Sequence, residues 1–152
     1  MRARHLPAEL FTAFTGVDLI LHAGDIMDWS VIQELATLAP VEAVYGNMDY
    51  AEVRLRLERR RIIDIGAVKI GLIHGDGGGY TTPTRALQAF SGVQCTVFGH
   101  SHRPYNEMHG DTLLFNPGSP TDRRMMPMGS YGFLYVADEY IWGDICYLEP
   151  RR

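Results

Sequence analysis

Cysteine is scarce in this sequence, and the two that occur lie far apart. Cys95 and Cys146, in a chain of 152 residues, give neither the framework of a disulfide-stabilised secreted domain nor the paired spacing of a zinc ribbon. Cys95 lies in an apolar stretch and is expected to be a buried small hydrophobic residue. Disulfide-rich and zinc-ribbon folds are therefore excluded.

Long apolar runs and an excess of basic charge are also missing. No apolar run approaches the roughly 20 residues of a membrane-spanning helix, and the first ten residues are basic without the apolar core of a secretion signal. We therefore expect a cytoplasmic protein without a membrane partner. The formal net charge is −4, so binding to duplex nucleic acid is not expected. We interpret the basic residues at 54–61 as a solvated helix face and turn rather than a phosphate-binding patch.

Hydrophobic residues make up 46% of the chain, enough for the core of one domain spanning residues 1–152. The first half alternates strand and helix patterns, which is typical of parallel strands flanked by helices, and the strand-rich second half favours an antiparallel or mixed sheet. Helices are predicted at 7–14, at 31–38 with Ser30 as its cap, near 51–58 and near 83–90. Strands are predicted at 17–22, 41–45, 61–65, 68–74, 95–98, 112–115, 131–136 and 141–148.

Four polar motifs each follow an apolar, strand-like run. They are Gly24-Asp25, Gly46-Asn47-Met48-Asp49, His74-Gly75 and Gly99-His100-Ser101-His102. Two histidines at i and i+2 cannot share a helix face, but at a strand end they can reach two neighbouring points, as a dinuclear metal centre requires. Taken singly, Asp25 and Asn47 are equally plausible as turn residues. The ordered set favours a metal site.

This ordered set resembles the calcineurin-like metallophosphoesterases, most closely their small single-domain bacterial and archaeal phosphodiesterases. The family pattern is D-x-H, G-D, G-N-x-D, H and G-H-x-H, and its last four elements match Asp25, Asn47, His74, His100 and His102. The run Asn116-Pro117-Gly118-Ser119 resembles a further signature of the small branch. The resemblance implies an α/β fold of two stacked mixed β-sheets flanked by helices, with two divalent transition-metal ions at one edge.

Each matched residue has a ligand type that such ions accept. The carboxylate of Asp25 can bridge two cations about 3.5–4 Å apart. Asn47, His74 and His100 would complete the second ion's shell, and His102 would reach the first. Mn, Zn, Fe and Ni all suit these ligands. His22, inside the preceding strand, is interpreted as a supporting or core residue rather than a ligand.

The chain departs from the family pattern at its start, where no D-x-H motif is found. Either the start is set at an internal methionine, or an opening central strand and two ligands are missing; we favour the first. Without that motif, we expect at most one tightly held ion, on the side of Asn47, His74 and His100.

Residues 48 and 49 bear on the chemistry. Met48 occupies the position at which larger family members have a histidine that is interpreted as a general acid. Because methionine cannot donate a proton, substrates with good leaving groups are favoured. Asp49 is predicted to lie beside the substrate phosphate or to cap the helix that follows it.

The predicted function is hydrolysis of a small phosphodiester or nucleotide-like substrate by a metal-activated hydroxide, with Asp25, Asn47 and Asp49 as the catalytic residues. Two alternatives stay open. One is a non-catalytic scaffold of the same fold, as in the retromer complex, and the other is a mononuclear regulatory domain. A homo-oligomer is compatible with each of them.

Overall fold

A computed structural model describes residues 5–150 of the protein. Four helices and nine strands lie within this range. The helices are α1 (Ala8–Ala13), α2 (Ser30–Ala36), α3 (Ala51–Arg56) and α4 (Thr82–Ala89). The strands are β1 (Ile20–His22), β2 (Val41–Ala43), β3 (Arg60–Ile65), β4 (Val68–Ile73), β5 (Cys95–Val97), β6 (Tyr105–His109), β7 (Thr112–Asn116), β8 (Ser130–Ala137) and β9 (Tyr140–Tyr147).

A five-stranded sheet with the order β3-β4-β5-β7-β6 forms the first layer. Its three inner strands are parallel to one another, while β3 and β6 run antiparallel at the edges. The inner strands are almost continuously apolar, as expected for strands covered on both faces. Burial raises the pKa of the Cys95 thiol in β5 to about 12, in keeping with a packing role. The parallel arrangement brings the carboxyl ends of β4, β5 and β7 to one edge.

Two smaller sheets form the second layer. One is the parallel pair β1–β2 and the other is the antiparallel hairpin β8–β9. Both pack on the same apolar cluster of the five-stranded sheet, through Leu19 and Leu21 on one side and Leu134 and Ile145 on the other. The mixed α/β architecture with stacked sheets is therefore confirmed.

Helices cover the outer faces of both layers. On the five-stranded sheet, Ala86 of α4 packs against Phe98 and Leu114. On the second layer, Leu35 of α2 packs against Ile20 of β1. None of the helices within residues 5–150 is long and apolar enough to cross a bilayer.

The second layer is not one continuous sheet in the described part of the chain. Strand β1 pairs only with β2, and strand β8 pairs only with β9. A cavity of about 1030 Å³ lies between them and extends to the loops of Asp25 and His100.

Two local predictions differ from the structure. Strand β6 was not predicted. Tyr105–His109 is an edge strand whose three central residues are exposed, so its sequence has no apolar run to mark it. Ser30 is not a cap: α2 begins at this residue, Trp29 occupies the cap position without a side-chain bond, and the Asp28 carboxylate accepts the Ser30 N–H at 2.9 Å.

Candidate metal centre

The polar motifs lie on loops that leave strand ends at one edge of the molecule. Asp25 follows β1, Asn47 follows β2, and His74 directly follows β4. His100 lies three residues after the end of β5. Because these strands end at the same edge of the two layers, four residues that are distant in sequence meet in space.

Four side-chain atoms converge at this edge. His74 Nε2 lies 3.0 Å from Asn47 Oδ1 and 3.3 Å from Asp25 Oδ2. His100 Nδ1 lies 3.2 Å from Asn47 Oδ1 and 3.3 Å from His74 Nε2. Ligand atoms about 2.0–2.2 Å from one ion are themselves about 3.0–3.4 Å apart in octahedral or tetrahedral geometry. The observed spacings match this range.

The chemistry of these atoms also fits a cation. His74 Nδ1 donates to the Ala23 carbonyl at 2.7 Å, so its Nε2 faces the oxygens of Asp25 and Asn47, both of which are acceptors. A proton or a cation has to lie between such groups. Among residues 5–150, His, Cys, Asp and Glu side chains alone form no group of three that could hold an ion. The candidate set also includes the amide oxygen of Asn47.

The charges of the three titratable members are coupled. Burial acts to raise the pKa of Asp25, but its hydrogen bonds with His74 and with the Met48 N–H outweigh burial and lower it. Burial acts to lower the pKa of His74, yet the neighbouring Asp25 carboxylate raises it. Burial, His74 and Arg124 together lower the pKa of His100. A cation would take the place of the His74 proton, so binding competes with protonation.

Asp49 holds two of the loops together. Its Oδ2 accepts the N–H groups of Asp25 at 3.0 Å and of Gly46 at 2.7 Å, and its Oδ1 accepts the Met27 N–H at 2.8 Å. The side chain is buried, and its bonding partners are backbone N–H groups. The prediction that it caps the next helix is wrong, because Tyr50 is the cap residue of α3 and has no side-chain cap bond. These contacts are those of a residue that positions the loops rather than of one that faces a substrate.

Among the contacts of the described residues, His102 bonds to a different loop rather than to the four converging atoms. Its Nδ1 contacts the Asp122 carbonyl, and the Asp122 carboxylate is 3.9 Å away. Burial lowers the pKa of His102, although the Asp122 carbonyl acts to raise it. With Nδ1 engaged, Nε2 is left as a ligand atom of this ring, and the Asp25 carboxylate acts to raise the pKa of His102.

The loop that carries His100 and His102 is held by Asn116. This residue is fully buried, and its amide donates to the Gly99 carbonyl at 3.0 Å and to Ser101 Oγ at 3.1 Å. Its Oδ1 accepts the Gly118 N–H at 2.9 Å. The sequence signature at 116–119 thus supports the site without taking part in the cluster.

Two supporting residues lie outside the converging set. Burial lowers the pKa of His22 to about 4, and its Nδ1 accepts the Gly24 N–H at 3.2 Å, consistent with a supporting role. Arg54 is exposed on α3, as the interpretation of a solvated helix face predicts. Its guanidinium also donates to the Asp49 and Asn47 carbonyls at 2.9 Å each. No sequence pattern distinguishes Arg54 from its basic neighbours.

Unusual backbone is concentrated at this centre. Asp25, His100 and His102 adopt φ values of 56°, 63° and 56°, a left-handed region that costs non-glycine residues about 1–3 kcal/mol each. The loops also approach each other closely. A Cβ on Gly46 would lie 2.6 Å from the backbone nitrogen of Asp25 and 2.9 Å from Cε1 of His74, so only glycine fits there.

Replacing Gly46 with alanine is expected to reduce metal affinity by about 10–100-fold, the range for changes that shift ligands without removing them. Gly78→Ala is the matched control, because a Cβ at Gly78 meets nothing within 4 Å. Calorimetric titration of both variants with Mn²⁺ measures the effect. Equal affinities would show that the loop contact does not set the ligand geometry.

Comparison with known proteins identifies the family. The model of the calcineurin-like phosphoesterase superfamily domain matches residues 2–139. The chain belongs to this superfamily. The resemblance seen in the sequence is therefore confirmed, and calcineurin-like phosphoesterases use divalent metal ions.

Relatives and solved structures agree with this assignment. A probable metallophosphoesterase of Methanocaldococcus jannaschii is 43% identical over 141 residues, covering 91% of this chain and 71% of the relative. A phosphodiesterase of the same organism is 29% identical over 132 residues, covering 75% and 76%. Among solved structures, wild-type Vps29 of Entamoeba histolytica complexed with zinc has a TM-score of 0.76 at 22% identity, covering 97% of this chain and 92% of Vps29.

Proposed function

We propose that the protein is a metal-dependent phosphodiesterase. The observation that carries this proposal is the convergence of Asp25 Oδ2, Asn47 Oδ1, His74 Nε2 and His100 Nδ1 within 3.0–3.3 Å of their neighbours in the set. Family membership makes phosphoester hydrolysis the reaction that such a centre would serve. The relative named phosphodiesterase favours a diester over a monoester.

The four converging atoms would hold one divalent ion. Ions in such sites activate water as a nucleophile and neutralise phosphoryl oxygens. The carboxylate of Asp25 supplies the only full negative charge of the set, while Asn47 contributes a neutral oxygen, which leaves the centre electrophilic. Mn, Zn, Fe and Ni all accept this mixture of nitrogen and oxygen ligands.

A second ion would have weaker support. The remaining ligand atoms for it among the matched residues are Asp25 Oδ1 and His102 Nε2. Asp25 Oδ1 already accepts the Met48 N–H at 2.8 Å. We therefore infer one tightly held ion per chain, and a second only if further ligands are added.

The chain's own residues also limit the substrate. When water attacks phosphorus, the P–O bond to the leaving group breaks. The departing oxygen must then either receive a proton or leave as a stable anion. Met48, 40% exposed beside Asn47, cannot donate a proton. Small phosphodiesters with acidic alcohol leaving groups are therefore the proposed substrate class.

Hydrolysis of bis(p-nitrophenyl) phosphate by the Mn²⁺-loaded chain tests the proposal. We expect turnover at least about tenfold faster than for p-nitrophenyl phosphate, complete loss with chelator, and loss in His100→Ala but not in His109→Ala. The control histidine lies at the end of edge strand β6 and bonds Tyr105 at 2.7 Å. Metal-independent turnover, or a preference for the monoester, would contradict the proposal.

A second candidate function is a scaffold that holds an ion without hydrolysis, and the fold that the chain shares with zinc-complexed Vps29 is compatible with it. In that case the chain would bind Mn²⁺ or Zn²⁺ tightly but would leave both phosphate esters intact. The same assay therefore separates the two functions.

A further inference from the structure

One basic side chain lies beside the converging atoms. Among residues 5–150, Arg124 is the only lysine or arginine that lines the cavity to which Asp25, His74 and His100 also contribute. Arg124 is exposed and lies in the irregular loop between β7 and β8. Because a guanidinium stays protonated in proteins, this residue places a permanent positive charge next to the candidate metal centre.

The loop of Arg124 is fixed to the loop of His102. The Asp122 carbonyl contacts His102 Nδ1, and Asp122 Oδ1 accepts the Arg124 N–H at 3.3 Å. Ser119 Oγ in turn accepts the Asp122 N–H at 3.1 Å. Arg124 itself has a φ of 48°, a left-handed conformation that a non-glycine residue keeps only where its surroundings impose it. The backbone therefore holds Arg124 beside the histidine loop.

The donors of the Arg124 guanidinium are available to a ligand. Its backbone N–H is bonded, but within residues 5–150 its side chain forms no hydrogen bond or ion pair. The charge of Arg85 also acts on His100, but the Arg85 guanidinium already donates to Thr82 Oγ1 at 3.1 Å and to a backbone carbonyl at 2.9 Å. Burial lowers the pKa of His100 and of His102, and the positive charge of Arg124 acts in the same direction on both rings.

A site with a single ion leaves part of the phosphate charge unbalanced. The two non-bridging oxygens of a phosphodiester share one negative charge, and a second negative charge develops on them when hydroxide adds to phosphorus. In sites with two ions, both cations neutralise this charge. The converging atoms would hold one ion, so another positive group is needed. A guanidinium suits this role because its planar fork of N–H donors matches two phosphate oxygens.

We propose that Arg124 is a substrate-binding residue that donates to the non-bridging oxygens of a phosphodiester at the candidate metal centre. The inference rests on the proposed function and adds a second positive group to its site. The substrate class that it favours is the anionic phosphoester, because a neutral ester has no charged oxygen for the guanidinium to pair with.

Calorimetric titration of the Mn²⁺-loaded chain with inorganic phosphate tests the assignment without a catalytic readout. In Arg124→Ala we expect the dissociation constant of phosphate to rise about 10–100-fold, as for the loss of a charged hydrogen bond. The Mn²⁺ affinity and the melting temperature are expected to stay unchanged. Arg124→Lys should recover part of the loss, since it keeps the charge without the fork. The matched control is Arg103→Ala, because Arg103 is exposed next to His102 but does not line the cavity.

Three results would overturn the assignment. They are unchanged phosphate affinity in Arg124→Ala, an equal loss in Arg103→Ala, and no phosphate binding by the unaltered chain. A loss of Mn²⁺ affinity in Arg124→Ala would also contradict it, since the residue would then support the ligands instead of the substrate. If the unaltered chain binds phosphate through Arg124 but hydrolyses neither phosphate ester, the proposed hydrolysis fails and the assignment of Arg124 stands.

Discussion

Replacing Asp25 with alanine is expected to lower phosphodiester hydrolysis at least about 100-fold, more than the effect typical of residues that only support a ligand. The substitution removes the carboxylate that lies 3.3 Å from His74 Nε2 and the only negative charge of the converging set. Initial rates with bis(p-nitrophenyl) phosphate at saturating Mn²⁺ measure the loss. The control is Asp111→Ala, in the turn between β6 and β7.

The metal has to be measured in the same samples. We expect the Asp25 variant to hold less Mn²⁺ after desalting, while Asp111→Ala holds as much as the unaltered chain. Undiminished turnover of the Asp25 variant after exhaustive chelation would rule out the proposed mechanism.

Replacing Asp49 with alanine is expected to destabilise the fold by on the order of 3–5 kcal/mol. Its carboxylate accepts three backbone N–H groups, and each buried donor left unsatisfied costs about 1–3 kcal/mol. For a domain of this size the melting temperature would fall by roughly 10 °C. Urea unfolding of the variant, with Asp111→Ala as the control, measures the change.

Asp49→Asn separates hydrogen bonding from packing. The amide keeps the shape of the side chain, but its nitrogen cannot accept an N–H bond. One oxygen can still serve Asp25 and Gly46, so a loss of roughly 1–3 kcal/mol is expected from the unpaired Met27 N–H. Equal stability of the asparagine, alanine and unaltered chains would show that the carboxylate does not hold the loops.

The meeting of Asp25, Asn47, His74 and His100 was predictable from the ordered motifs and the family they resemble. Each of these residues follows a strand that ends at the same edge, and strand direction determines where their loops meet. Metal binding by this set stays a prediction. The alternation of strand and helix patterns in the first half predicted parallel strands, as found in the pair β1–β2, and the family resemblance implied the two stacked sheets.

Other features depend on contacts that sequence patterns do not encode. The three N–H groups that Asp49 accepts come from two loops, so its positioning role is visible only in three dimensions. The engagement of His102 by the Asp122 carbonyl depends on a loop after β7 with no regular pattern. The depth and apolar lining of the cavity between β1 and β8 required the structure.

Metal titration of the chain and three variants tests the central claim most directly. Isothermal titration with Mn²⁺, followed by elemental analysis after desalting, should give one ion per chain. That ion should be lost in Asn47→Ala and His100→Ala and kept in His102→Ala, because His102 lies outside the converging atoms. Two tightly held ions in the unaltered chain, or equally tight binding in Asn47→Ala and His100→Ala, would contradict a centre built from Asp25, Asn47, His74 and His100.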